Sequence, residues 1–568
     1  MRLLRAIHWQ HLILMLCLPI LLALINPNWI FNPHITDDYI YLGYQMEMPR
    51  YTDWFPAANR YFGERVSWIA PTYPIRQLFS PMLANFVIHF GVYYVALFSV
   101  YGTLHRLTNR HGAIIVALLM GHYPPFMRAV GWDYVDGFIL ACMSLCLFFI
   151  TYACYSPRRW RLYLIGAGMA CMLFVTSNIF YACYIPALII YFVWLNHHNQ
   201  RHSILQTILW VGLGMGLIYV LEGLYYASVT GNWLTFTHSL TFSQEKFGDD
   251  QFQAINNHNF LKIIPTWHIF PVIVLVIAGI ALLRQPQDQR QKLGAGASLL
   301  CGAYGVLLLW EALGHRFLQY LFYSSIIIPM AFILLGILIE NHNWSQHRQR
   351  VVYGAFFIPP IPFALFSLAP HLFITDYLWV SGIIALILFG IGFRLRATWG
   401  LISLIGAFTI LGYVIGLTTF RQGFMRETIV TYIPNRYEHQ SMYDGATQLA
   451  QVINQKFDTL DIETFRLWYA NDPKMVTFHA IASIYLRGGG RVVDENDLPL
   501  NKSLIWNRNT RYIPNNTLIL LSSQHTPQAL FEMAENALMR YGYKPLWQET
   551  IWIDDGTGGF YAVFITIP

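Results

Sequence analysis

Apolar runs of roughly twenty residues recur along the first three-quarters of this chain, each long enough to cross a ~30 Å hydrocarbon layer as a helix. Lipid offers the backbone no hydrogen-bond partners, so a segment of this kind has to satisfy its own amides and carbonyls, which an α-helix does. Composition points the same way. With 55% hydrophobic and only 12% charged residues over 568 positions, water would not cover the apolar surface. The chain is therefore read as an integral membrane protein.

At the ~20-residue requirement the runs divide into about thirteen spans, roughly 11–31, 80–104, 112–129, 137–154, 161–177, 179–195, 204–226, 264–283, 293–313, 318–339, 351–370, 377–393 and 399–419. Every second connector is short and basic: Arg106 and Arg110; Arg158, Arg159 and Arg161; Arg201; Arg284, Arg290 and Lys292; Arg348 and Arg350; Arg394 and Arg396. The positive-inside rule places these, with Arg2 and Arg5, in the cytoplasm. The alternate connectors carry Asp37, Asp38, Asp53, Glu64, Asp133, Asp136, Glu245, Asp249, Asp250 and Asp376, and so face outward. An odd number of spans leaves everything after about residue 420 outside as well.

Met1 to Phe31 has a basic start and an apolar centre without a small-residue cleavage site, so it is expected to stay as an uncleaved first span. All seven cysteines lie in expected spans, which leaves the outer region no disulfide framework and no cysteine-based metal site. The net charge of +6 is spread over cytoplasmic loops, as insertion requires, and gives no indication of a nucleic-acid partner. Neither a P-loop nor a dinucleotide fingerprint follows a strand, which argues against nucleotide-driven pumping.

After Phe420 apolar runs shorten to strand length. Expected helices at 439–456, 474–486 and 527–541 alternate with expected strands at Phe465–Ala470, Thr517–Leu521, 544–553 and 559–567, the pattern of a small α/β domain.

Four constellations bear on chemistry. Asp37 and Asp38 follow the first span, where two carboxylates at the membrane rim exceed what one N-cap for a helix starting near Tyr39 needs, and one of them is suited to general-base work. Gly131-Trp132-Asp133-Tyr134-Val135-Asp136-Gly137 is a very short outer turn; Asp136 is the better placed of its carboxylates to cap the next span, and Asp133 the freer one to meet a cation, an amine or a sugar hydroxyl. His315 and Arg316 stand at the outward end of the ninth span before Tyr320 and Pro329, where a guanidinium either meets a phosphate or snorkels into head groups. The first outer loop, rich in aromatics and proline, is expected to form short interfacial helices that position Arg60, Arg65 or Arg76, each of which could instead contact anionic lipid.

Weaker candidates are Glu222 and Glu311 near span ends, and His238, His258 and His268, which lack metal-ligand spacing and are expected in solvated or interfacial roles. The long loop 227–263 is expected to cover the site.

With these residues in view, the chain resembles the C-type (GT-C) glycosyltransferases, especially lipid A aminoarabinose transferases and protein O-mannosyltransferases. The likeness rests on an amino terminus inside, the acidic pair after the first span, interfacial helices in outer loop 32–79, the second acidic turn, the span number and an outer α/β domain. Locally it rests on Asp37-Asp38, where the family often shows Asp-Glu, and on His315-Arg316-Phe317 with Tyr320 and Pro329. The resemblance implies a mostly α fold, with a transmembrane catalytic domain over 1–420 and a small exoplasmic α/β domain over 421–568. It implies transfer of a sugar, with inversion, from a polyprenyl-phosphate donor to a lipid, glycan or protein acceptor. Asp37, Asp38 and Asp133 would be catalytic, with Asp37 the base; Arg316, His315, Arg60 and Arg65 would hold the departing phosphate; Asp136, Tyr39 and Tyr320 would meet sugar or acceptor. No cofactor is required, and a divalent metal is compatible. The likeness and the missing disulfides together imply a bacterial inner membrane.

The placement of the carboxylates supports a lipid-linked donor without the resemblance. Nucleotide sugars stay in the cytoplasm, whereas these acids face the other side, so an activated sugar reaching them arrives on a lipid. A secondary transporter would also line its path with intramembrane Asp and Arg, but the two related halves common in transporters are not seen in the sequence. A lipid-linked glycan ligase or polymerase would share the chemistry and differ in acceptor.

Overall fold

The computed structural model describes residues 9–26, 29–30, 41–46, 48–49, 61–132, 134–199, 203–241, 266–284, 286–313, 317–318, 321–340, 348–368, 387, 405–406, 445, 447–455, 464–468, 492–494, 517–523, 525–539, 542–553 and 559–567. Its helical body comprises α1 (Trp9–Ile25), α2 (Val66–Leu78), α3 (Pro81–Leu107), α4 (Arg110–Gly121), α5 (Pro124–Gly131), α6 (Val135–Tyr155), α7 (Trp160–Ser177), α8 (Ile185–Asn199), α9 (Ile204–Thr230), α10 (Ile269–Arg284), α11 (Gln287–Ala312), α12 (Ile327–Ile339), α13 (Arg348–Phe357) and α14 (Pro360–Leu368).

Among the described residues, 6 helices are long and apolar enough to cross a membrane, or up to 7 when a bent pair counts as one span. The bent pair is α4 with α5, joined at 65°. The sequence explains the break: Pro124 and Pro125 open α5, and Tyr123 ahead of them is held extended, which a residue preceding proline favours. The expectation of one continuous span over 112–129 is corrected accordingly. Shorter apolar helices stand where spans 11–31, 264–283, 318–339 and 351–370 were expected, and 377–393 and 399–419 lie almost wholly outside the described residues.

Helix α2 lies within 32–79, where short helices were expected, and packs on α3, α7 and α9 through Val66, Ser67, Trp68, Ile69, Thr72 and Arg76. The turn from α5 to α6 is tight because two glycines permit it. A Cβ on Gly131 would sit 1.7 Å from the carbonyl oxygen of Trp29, and one on Gly137 would sit 2.4 Å from that of Ala129. Only glycine accepts such approaches, and they fix where the start of α6, with Asp136, can lie.

Near the carboxy terminus a five-stranded sheet has the order β2-β1-β3-β5-β4, with β1 (Thr464–Trp468), β2 (Val492–Asp494), β3 (Thr517–Ser523), β4 (Leu546–Ile553) and β5 (Phe560–Ile567). The first three strands are parallel and the last two antiparallel. Strand β3 is central and buried on both sides, which is why it reads as a continuous apolar run. Helix α15 (Pro527–Met539) covers Ile519, Leu521, Val563 and Ile565 on one face, and Leu518, Leu520 and Phe564 on the other join the same apolar cluster as Leu449 and Ile453 of a helical stretch at 447–455. The expected helix at 474–486 lies outside the described residues. The three-residue strand β2 was not anticipated, being too short to show an alternating pattern.

Candidate functional site

Arg65 immediately precedes α2 and is 7% exposed. Aromatic rings surround its guanidinium: the central carbon lies 5.0 Å from the ring centre of Tyr41, 5.4 Å from Tyr61, 5.7 Å from Phe62 and 5.9 Å from Tyr134. Its buried Nη1 has no hydrogen-bond partner among the described residues. Cation–π attraction of about 0.5–2 kcal/mol per ring offsets only part of the cost of burying such a charge. An arginine in this condition has the donor capacity to meet an anion.

Its neighbour Glu64 does not neutralise it. Both Glu64 oxygens are turned to another segment, accepting from the His238 backbone N–H at 2.7 Å, His238 Nδ1 at 2.9 Å and the Ser239 backbone N–H at 2.6 Å. His238, with its side chain still 26% exposed, is thus also an anchor for its segment, a role the sequence expectation did not include. The contact also fixes 237–239 of the long loop against the Arg65 segment; residues 242–265, the rest of the expected cover, lie outside the described residues.

Asp136 is fully buried in the first turn of α6. Its carboxylate is within electrostatic reach of Arg128 and of the backbone amides of Asp136 and Gly137, yet no described group meets either oxygen in full hydrogen-bonding geometry. Arg128, also buried, lies 4.6 Å over the Trp132 ring. Tyr181 stands within electrostatic reach of both Asp136 and Tyr134. Since Tyr134 also touches the Arg65 cage, the two charged groups share one aromatic wall.

That wall continues into a shallow cleft of about 210 Å³, counting the space open to the outside, lined by Phe180, Tyr181, Tyr184, Trp310, Phe317 and Tyr323, among others. Phe317 is central to it, with ring centres 5.3 Å from Phe180, 5.3 Å from Trp310 and 4.4 Å from Tyr323. The next residue is held at both main-chain groups. Leu318 N–H donates to Glu311 Oε1 at 2.8 Å, and His268 Nε2 donates to the Leu318 carbonyl at 2.9 Å, while the Tyr304 hydroxyl approaches His268 Nδ1 at 3.1 Å. His268 is therefore a buried clamp and not an interfacial residue, which corrects the sequence expectation, and the Glu311 carboxylate has a defined partner.

Two more of the singled-out residues resolve into structural roles. Arg76 is buried and donates to Gln45 Oε1 at 2.9 Å and to Asn85 Oδ1, so lipid contact is not its environment. Glu222 on α9 accepts from Ser67 of α2 and from Thr176 of α7 at 3.0 Å through one oxygen, and the other is buried without a described partner.

Of the residues singled out from sequence, Arg65 and Asp136 are brought onto one wall. Asp37, Asp38, Tyr39, Arg60, Asp133, His315, Arg316 and Tyr320 lie outside the described residues. Their neighbours Tyr41 and Phe317 fall at the two ends of that wall. Among the described residues no three His, Cys, Asp or Glu side chains converge as a metal site. The sequence reading missed the aromatic residues themselves; the only available signal was their density in 39–62 and 180–184.

No family model matches the chain, and no curated protein matches it. Solved structures do. The crystal structure of ArnT from Cupriavidus metallidurans bound to undecaprenyl phosphate is 13% identical, covers 93% of each chain and superposes with a TM-score of 0.51. This chain has the fold of ArnT. The apo state of that ArnT gives 0.49 over the same 93% of each chain at 13% identity. An Archaeoglobus fulgidus oligosaccharyltransferase tethered with an acceptor peptide gives 0.42 at 12% identity, over 96% of this chain and 73% of its own. The likeness to ArnT bears out at the level of fold the resemblance to C-type glycosyltransferases, and with the apolar helices it makes this an integral membrane protein.

Proposed function

We propose that this chain is an inverting glycosyltransferase that moves a sugar from a polyprenyl-phosphate donor to a lipid, glycan or protein acceptor at the outer face of a bacterial inner membrane. In this reading the amino terminus is cytoplasmic, residues 1–420 form the catalytic domain, and 421–568 form an outer α/β domain. One observation carries it: the buried Arg65 guanidinium, caged by rings and without a carboxylate partner among the described residues, shares an aromatic wall with Asp136 that ends at Phe317, the residue after Arg316. Aromatic faces suit both a sugar ring and an isoprenoid tail, and an unneutralised arginine suits the phosphate between them.

Chemically, Asp37 takes the proton of the acceptor hydroxyl or amine, whose oxygen or nitrogen then attacks the anomeric carbon from the face opposite the phosphate. The anomeric carbon–oxygen bond breaks and its electron pair leaves on the polyprenyl phosphate. Arg65, with Arg316, His315 and Arg60, stabilises the charge gathering there, and the ring cage that holds Arg65 lowers the barrier because that donor does not have to reorganise. Asp38 and Asp133 orient the acceptor or hold a cation, and Asp136, Tyr39 and Tyr320 contact the sugar. The fold shared with an ArnT solved with undecaprenyl phosphate supports a donor of this class.

The test is transfer of a labelled sugar from a polyprenyl-phosphate donor by purified protein in lipid vesicles. Asp37→Asn is expected to abolish turnover while the protein stays folded. Proton-coupled solute uptake with no sugar transfer by the wild type would replace this reading with that of a secondary transporter.

A further inference from the structure

The opposite end of the bundle holds a second feature that the transfer reaction does not use. Helix α3 carries the chain across to it, and there the first turns of α1 and α4 meet the second turn of α13 around a cleft of about 380 Å³, counting the space open to the outside. One wall is polar and basic, made of Gln10, His11, Arg110 and His111; the other is apolar, made of Leu14 and Val352. Among the described residues no acidic side chain lines it.

The described contacts of the basic wall place no carboxylate on Arg110. His11 Nδ1 lies 3.3 Å from the Tyr101 hydroxyl, and the His11 ring packs edge-on to His111 with centres 5.7 Å apart. Arg110 Nε donates to His111 Nε2 at 3.2 Å, which uses one of its five N–H groups and cancels none of its charge. Helix α4, capped by the Asn109 side chain, also presents its amino-terminal, positive dipole end here. Insertion topology alone explains why arginines lie at this end. It does not explain a half-apolar cleft that gathers two histidines and an arginine with no acid among the described residues.

We propose that this cleft seats the phosphodiester of an anionic phospholipid, with Arg110 as the principal contact and His11 and His111 as further hydrogen-bonding groups around it. The apolar wall and the outward stripe of α1 below it, where Ile13, Ile20 and Leu24 are 47%, 46% and 65% exposed, supply the path for an acyl chain. A free phosphate ester would use the basic wall and leave that path empty. The lipid would join the ends of α1, α4 and α13, and the inference stands independently of the transfer reaction.

The test uses full-length protein reconstituted in phosphatidylcholine nanodiscs containing phosphatidylglycerol, then released into detergent and examined by native mass spectrometry. Wild type is expected to retain phosphatidylglycerol over phosphatidylcholine, and Arg110→Gln to lower that retention roughly tenfold, as the loss of a charge-assisted contact does. Arg158→Gln, on another basic connector, should leave it unchanged, and His111→Ala should give an intermediate loss. Equal retention in wild type and Arg110→Gln would overturn the proposal. So would an equal loss in Arg158→Gln, which would reduce the effect to general surface charge, or displacement of the retained lipid by millimolar glycerol phosphate, which would make the site one for soluble phosphate esters.

Discussion

Arg65 and Arg76 stand at the two ends of α2, both buried, both drawn from the same aromatic loop, and their surroundings are opposite. Arg76 meets neutral acceptors, Gln45 and Asn85, which fix it as a strut between 41–46, α2 and α3. Arg65 meets ring faces, and its Nη1 has no described partner. Burial alone therefore says little about an arginine; what decides its role is whether the fold supplies its acceptors. One that the fold satisfies holds the structure together, and one left unsatisfied is held ready for an anion from outside.

The comparison breaks most readily at Arg65. Arg65→Gln should lower sugar transfer by 100-fold or more, on the order of 3 kcal/mol of lost transition-state stabilisation, with little change in thermal unfolding. Arg65→Lys should recover only part of it, because an ammonium lacks the planar fork. If Arg65→Gln unfolds the protein and the surviving fraction transfers normally, Arg65 is a strut like Arg76. For Arg76 the reverse is expected: Arg76→Ala leaves Gln45 and Asn85 buried without their donor and should destabilise by about 2–4 kcal/mol, read as a fall in Tm, while the folded fraction keeps its donor affinity.

Much of this contrast was hidden in the sequence for a physical reason. Span lengths, the central strand β3 and the acidic turn between two glycines follow from periodicity and from steric rules that act within a few residues. The partner of an arginine depends on contacts that join distant segments: Glu64 with His238, Glu222 with Ser67 and Thr176, His268 with Leu318. None of these pairs has a spacing that a reader of sequence could use, so His238 and His268 looked like surface histidines. The break between α4 and α5 was legible in Pro124-Pro125, but the hydropathy of the surrounding run masked it.

A smaller effect is expected at the far end of the aromatic wall. Glu311 and His268 hold the two main-chain groups of Leu318 and so set the position of Phe317. Glu311→Ala should raise the KM for the lipid donor roughly tenfold and leave kcat within a factor of about three, the signature of lost positioning rather than lost chemistry. Glu311→Gln, whose amide oxygen still accepts from Leu318 N–H, should restore the donor KM. Equal losses in both variants would mean that the carboxylate charge acts directly on the phosphate site.

The smallest effect is expected where charge looks most out of place. Glu222 is buried between α2, α7 and α9, and only one of its oxygens is used, as acceptor from two hydroxyls. Glu222→Gln keeps that oxygen and replaces the unpartnered one with an amide, so stability should change by less than about 1 kcal/mol and transfer by less than about threefold. Glu222→Leu, by contrast, takes the charged acceptor from the Ser67 and Thr176 hydroxyls, which keep each other and, for Thr176, the Met172 carbonyl, and should cost about 1–2 kcal/mol in thermal unfolding. If Glu222→Gln instead removes activity while the fold survives, the free oxygen carries a proton or a cation in the reaction, and α2 would then bring two functional groups to the site, Arg65 at its start and, through Ser67, Glu222 behind it.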